Sequence, residues 1–110
     1  MADERRRHIR VRVDLPSAYV FDGNRIEAHI GDMSPGGAFI DTTAPIPPFG
    51  TQVIVEMQFP GNKLVRINAT VRWAKPGGMG VQFGMLRAKD TFVITEHLAG
   101  LELIPDSRRF

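Results

Sequence analysis

The chain has 110 residues, 43% of them hydrophobic and 24% charged, with no cysteine and a net charge of +2. That is enough for one domain with its own core and too apolar for intrinsic disorder. The lack of cysteine excludes a disulfide framework and any thiolate metal site, and no apolar run nears the ~20 residues of a membrane span.

The charge is unevenly placed. Residues 1–12 carry Arg5, Arg6, Arg7, Arg10 and Arg12 against Asp3 and Glu4, a local +3, which leaves −1 for residues 13–110. Such a segment lacks the apolar area to fold alone, so residues 1–12 are expected to form a flexible basic arm that an anion would order. The arginines run straight into a strand-like segment, with no apolar stretch of signal-peptide type, and a cytoplasmic location is the expectation.

From residue 11 the pattern alternates. Val11, Val13 and Leu15, then Ala18 and Val20, read as a strand interrupted at Pro16, which cannot donate to a ladder. Asp22-Gly23-Asn24 is a turn signal, and Ile26, Ala28 and Ile30 resume an inward face with Arg25, Glu27 and His29 outward. The stretch Gly31 to Gly37 reads as irregular, and Ala38-Phe39-Ile40 restarts a strand. Three prolines, Pro45, Pro47 and Pro48, make 42–50 a loop. Val53, Val55, Met57 and Phe59 then share one side of a strand. After Pro60-Gly61-Asn62 comes the longest strand, with Val65, Ile67, Ala69, Val71 and Trp73 facing one way. Lys75-Pro76-Gly77-Gly78 turns into a last strand carrying Met79, Val81 and Phe83. Six or more short strands at this spacing indicate an antiparallel barrel or sandwich, and closure into a barrel is favoured because it removes the exposed edges of so small a sheet.

After Gly84 the period changes. Ile94, Leu98 and Leu101 lie on one helical face, and Asp90 is available as an N-cap, which predicts one helix over about 88–103. The expected organisation is therefore an arm at 1–12, a barrel with its helix at 11–104 and a tail at 105–110.

Several chemistries find no support. His8, His29 and His97 lack metal-ligand spacing, Ser34 sits in no nucleophile elbow, and no carboxylate pair or phosphate-binding glycine pattern appears. No enzymatic role is expected. Two stretches remain. Arg5-Arg6-x-x-x-Arg10 offers guanidinium groups, which clamp phosphate, read the O6/N7 edge of guanine and stack on base planes. Asp32-x-Ser34-x-x-Gly37 offers a carboxylate suited to guanine's N–H donors and glycines suited to positive φ or close backbone approach. Each alone has an ordinary explanation, a solvated tail and a self-bonded turn.

Together the two motifs resemble the PilZ family, and the resemblance continues through Gly37-Ala38-Phe39-Ile40, Val71-Arg72-Trp73 and Gly78-Met79-Gly80-Val81-Gln82-Phe83. It implies a six-stranded antiparallel PilZ-type β-barrel with one C-terminal helix that binds the bacterial second messenger cyclic di-GMP. By the same resemblance, Arg6 and Arg10 would contact guanines and phosphates. Asp32 and Ser34 would hold a guanine edge, and Gly36 and Gly37 would let it approach. Arg5 would favour two nucleotides per protomer, and Arg72 and Trp73 would border the site, although a barrel-face role explains Trp73 equally well. Ordering six or seven arm residues costs roughly 7–10 kcal/mol, which charge-assisted bonds and stacking must exceed. With no second domain to act on, the output would be a surface shown to an effector protein.

Two other readings compete. A nucleic-acid-binding barrel would want a basic face beyond the arm, and the remainder is slightly acidic. A PilZ-like interaction scaffold that has lost its ligand would not need both motifs complete.

Overall fold

The computed structural model describes residues 10–99. Arg5, Arg6, Leu101 and the tail therefore lie outside the described residues, as do most of the expected arm and the end of the expected helix.

Six strands follow one another: β1 (Val11–Phe21), β2 (Asn24–Ser34), β3 (Gly37–Asp41), β4 (Gln52–Phe59), β5 (Lys63–Lys75) and β6 (Gly78–Phe83). They close into an antiparallel barrel in the order β1-β2-β3-β6-β5-β4. The turn chemistry explains the tight connections. Asp22 and Gly23 both have positive φ, as the two-residue turn between β1 and β2 demands. Pro76 and Gly77, the latter at φ 91°, fit a type II turn between β5 and β6. The closing seam is short, since β1 meets β4 only from Ser17 to Val20.

The alternating apolar residues become the barrel interior. Leu15, Tyr19, Ile30, Met33, Val55, Met57, Val71 and Met79 are all at most 2% exposed. Burying a side chain of this size contributes roughly 1.5–3 kcal/mol. One end of the barrel is plugged by the proline-rich loop. Its Ile46 packs against the core, and Thr42 bonds the Tyr19 hydroxyl at 3.2 Å. At the other end, where β4 finishes, helix α1 (Ala88–Ala99) docks through Ile94 and Leu98. His97 meets the Phe59 ring edge-on at 5.2 Å.

The start of α1 differs from the sequence expectation. The amides of Asp90 and Thr91 both donate to the Arg87 carbonyl, so Asp90 lies inside the first turn and is not the N-cap. There its carboxylate accepts from Arg87 Nε at 3.2 Å and faces the positive end of the helix dipole.

Two bulges correct the expected alternation. Between β2 and β3 the register moves from Ile30↔Ile40 to Asp32↔Phe39, which makes Gly31 an extra residue. Between β5 and β6 it moves from Val71↔Val81 to Trp73↔Gly80, which makes Arg72 extra. A bulge shifts the inside–outside parity of the residues beyond it. Asp32 and Trp73 therefore face outward. Trp73 does not continue the inward row Val65 to Val71, and β2 runs through Gly31 to Ser34 where an irregular segment was expected.

Candidate ligand-binding face

The outward residues of β1, β2, β3, β6 and β5 line up in rows. The central row is Arg12, Asp32, Phe39, Gly80 and Trp73, each opposite the next across neighbouring strands. On the helix side of it, Ser34 pairs with Gly37, Gly37 with Gln82, and Gln82 with Thr70. On the other side lie His29, Asp41, Gly78 and Lys75 in the same sense.

Arg10 emerges at the edge of this face and its Nη2 donates to Asp32 Oδ1 at 2.5 Å. The side chains are 31% and 17% exposed, so the charge-assisted bond is partly shielded from water. The last arginine of the first motif and the carboxylate of the second are thus in direct contact. Ser34 is buried, and its hydroxyl accepts from the Gly36 amide at 3.2 Å, a local bond that shapes the turn. The Gly36 carbonyl accepts from the Phe83 amide at 2.8 Å, which stitches the turn to β6.

Neither Gly36 nor Gly37 has a positive φ. Gly37 is required for space: a Cβ there would lie 2.4 Å from the Val81 carbonyl oxygen. The fold of β3 against β6 alone thus demands this glycine, whatever binds outside.

The bulge on β5 turns Arg72 and Trp73 outward in succession. Arg72 Nε donates to Gln82 Oε1 at 2.7 Å, which ties β5 to β6 on this face. Trp73 lies against Phe39, with ring centroids 5.3 Å apart, and Lys75 Nζ sits 5.0 Å above the same phenyl ring. The bordering His29 ring bonds Asp14 through Nε2 and approaches Asp41 Oδ2 to 3.6 Å through Nδ1. The Asp14 bond raises the His29 pKa above its ordinary value; partial burial opposes this, and Asp41 adds to the rise.

Of the sequence-derived candidates, the structure brings Arg10, Asp32, Ser34, Gly36, Gly37, Arg72 and Trp73 onto one face. Arg5 and Arg6 lie outside the described residues. Sequence reasoning missed Phe39, Gln82 and Arg12. The available signal was the glycine alternation Gly78-x-Gly80, which leaves room for large outward neighbours on the flanking strands.

Chemically, the face combines a carboxylate, guanidinium groups and flat aromatic surface, the set needed to read an anionic ligand with aromatic bases. The family profile described as the PilZ domain matches residues 4–100. No curated protein matches in sequence. Among solved structures, the Bacillus subtilis inhibitor of motility (MotI/DgrA) superposes with TM-score 0.75 at 16% identity. The alignment covers 88% of this chain but only half of that protein. The PilZ domain of YcgR from Escherichia coli with c-di-GMP gives TM-score 0.75 at 13% identity, over 89% of this chain and 92% of that one. The Borreliella burgdorferi PlzA protein in complex with c-di-GMP gives 0.64 at 17% identity, over 81% and 39%. The barrel order, the terminal helix and the profile match over nearly the whole length place this chain in the PilZ domain family.

Proposed function

We propose that the protein binds cyclic di-GMP on this face and passes the ligand state to a partner protein. The observation that carries the proposal is the Arg10–Asp32 contact. It unites the two motifs at one place, beside the Ser34–Gly37 turn and opposite the aromatic pair. Cyclic di-GMP has two phosphates and two guanines, which match guanidinium clamps and a carboxylate acceptor for guanine N–H groups. The two solved neighbours that hold c-di-GMP support the choice of ligand.

In this reading Arg5, Arg6 and Arg10 clamp phosphates and guanine edges. Asp32 accepts from a base, and Ser34, Gly36 and Gly37 form the turn that the base rests on. Arg72 and Trp73 border the ligand on the far side. Two intercalated nucleotides bind per protomer, with Arg5 supporting the second. The ligand fixes the arginine arm against the face and so builds a composite surface that an effector recognises. The role is that of a binding adaptor without catalysis. Among the described residues no helix is long and apolar enough to cross a membrane, and the site of action proposed is the cytoplasm.

Substituting Arg10→Ala or Asp32→Ala tests the reading. Each should weaken cyclic di-GMP binding by about 1.5–3 kcal/mol, tenfold or more, with an unchanged circular dichroism spectrum. Wild-type affinity in both variants refutes the assignment. Hydrogen exchange tests the relay: amides from Arg5 to Arg10 should gain protection with ligand while β4 and β5 change little. Equal exchange with and without saturating ligand refutes the arm mechanism even if binding is real.

A further inference from the structure

The side of the barrel opposite the candidate face is centred on the β1/β4 seam. There β1 is apolar on both surfaces. Leu15 and Tyr19 point inward, while Pro16, Ala18 and Val20, which alternate with them, lie outside the interior cluster. Ile54, opposite Val20 on β4, lies outside it as well, and Leu64 on β5 is 58% exposed. A strand bathed by water on one side ordinarily carries polar residues there, and a strand apolar on both sides is ordinarily covered on both. Charged groups frame this apolar centre. Glu56 accepts from Arg25 Nε at 2.9 Å and from Arg66 Nε at 3.0 Å, and it lines a shallow groove with Ala18, Glu27, Gln58 and Leu64. Glu27 stands at one edge, 85% exposed and no nearer than 3.5 Å to Arg25. Arg66 stands at the other edge, and its bond to Glu56 leaves the side chain 55% exposed.

These residues stand in rows across four strands. Glu27, Ala18, Glu56 and Arg66 are successive cross-strand partners, and so are Arg25, Val20, Ile54 and Asn68. The first row is acidic at one end and basic at the other, and the second is apolar at its middle. Such a pattern complements itself under a two-fold axis. With the axis along the strands between β1 and β4, Glu27 of each copy meets Arg66 of the other, Glu56 meets the small Ala18, and Val20 meets Ile54. We infer that this face is the contact surface for a second copy of the chain. Four strands of five residues, at about 4.8 by 3.4 Å per residue, offer on the order of 330 Å² per copy. That is under the roughly 800 Å² per partner of a stable complex, so the pair is transient. It leaves both candidate ligand faces turned outward and does not depend on what they bind.

Sedimentation equilibrium of the full chain at low salt, up to about 1 mM protein, tests the inference. The wild type should form a dimer whose population rises with concentration and falls with added salt. Glu27→Lys and Arg66→Glu each set like charges against one another twice across the axis, and each should raise the dissociation constant by about tenfold or more. An equimolar mixture of the two variants pairs Lys with Glu at one end and Arg66 with Glu27 at the other, so it should dimerise again as a heterodimer. Val20→Lys charges the apolar centre from outside the core. It should abolish association with a cooperative melt retained, and it serves as the test if Arg66→Glu does not fold. A wild type that stays monomeric at about 1 mM overturns the inference and leaves this face to a different protein. Association that persists unchanged in Glu27→Lys and Val20→Lys belongs to another surface and overturns it too, as does a mixture of folded variants that stays monomeric.

Discussion

Gly37→Ala is the substitution with the most decided structural consequence. The new Cβ would lie 2.4 Å from the Val81 carbonyl oxygen, about 1 Å inside ordinary contact. The obstacle is backbone and cannot rotate away, so β3 and β6 must separate locally. Overpacking of this kind costs about 1–3 kcal/mol. The neighbouring bond from the Phe83 amide to the Gly36 carbonyl, now 2.8 Å, would stretch, at about 0.5–1.5 kcal/mol. Alanine returns about 0.5–1 kcal/mol through lower unfolded-state entropy. The net loss is about 0.5–4 kcal/mol, which at roughly 4 °C per kcal/mol for a domain of this size lowers the melting temperature by about 2–16 °C. Thermal unfolding followed by circular dichroism measures it. A melting temperature equal to or above that of the wild type would refute the argument and return Gly37 to a purely ligand-facing role. The distinction matters, because lost binding in Gly37→Ala is then no evidence that the glycine touches ligand.

Four further outcomes follow from the same structure. Tyr19→Phe removes the buried hydroxyl contact to Thr42 and should cost about 0.5–1.5 kcal/mol in urea unfolding, with an unchanged denaturant slope. The His29 pKa is raised by Asp14, so its ion pairs contribute fully below the ordinary value of 6.5 and are lost as pH rises through the folded value. Melting temperatures of wild type and His29→Gln should therefore converge at alkaline pH and separate slightly near pH 6; a gap that widens with pH contradicts the assignment. Glu56 is held below its ordinary 4.5 by bonds from Arg66 and Arg25, a contribution present above that value and lost as pH falls through the folded one. Glu56→Gln should flatten the acid limb of the stability profile, and an unchanged limb would show that the pairs are too solvated to matter. Arg5→Leu should reduce the number of cyclic di-GMP molecules bound per chain, and an unchanged ratio removes Arg5 from that role.

The barrel was legible because its core is written in alternation. Val53, Val55, Met57 and Phe59 are all buried as their spacing requires, and the turn at Asp22-Gly23 takes the positive φ values its residues suggest. The bulges were not legible. One extra residue at Gly31 or Arg72 leaves the local composition unchanged, and only cross-strand register reveals it. Because those bulges turn Asp32 and Trp73 outward, strict alternation assigned Trp73 to the wrong face. Phe39 was missed for a related reason. Phe39 and Ile40 look equally apolar in sequence, yet Ile40 faces the core while Phe39 lies outside under Trp73 and Lys75. Asp90 suits an N-cap by type alone, but the Arg87 carbonyl, three residues earlier, accepts the first helical bonds.

The central claim is that this face binds cyclic di-GMP, and isothermal titration of the wild-type chain with that nucleotide tests it most directly. The account predicts saturable binding that approaches two nucleotides per chain and weakens as salt screens the arginine–phosphate contacts. No saturable heat at any salt concentration, from protein whose circular dichroism spectrum and cooperative melting show a folded barrel, would contradict it.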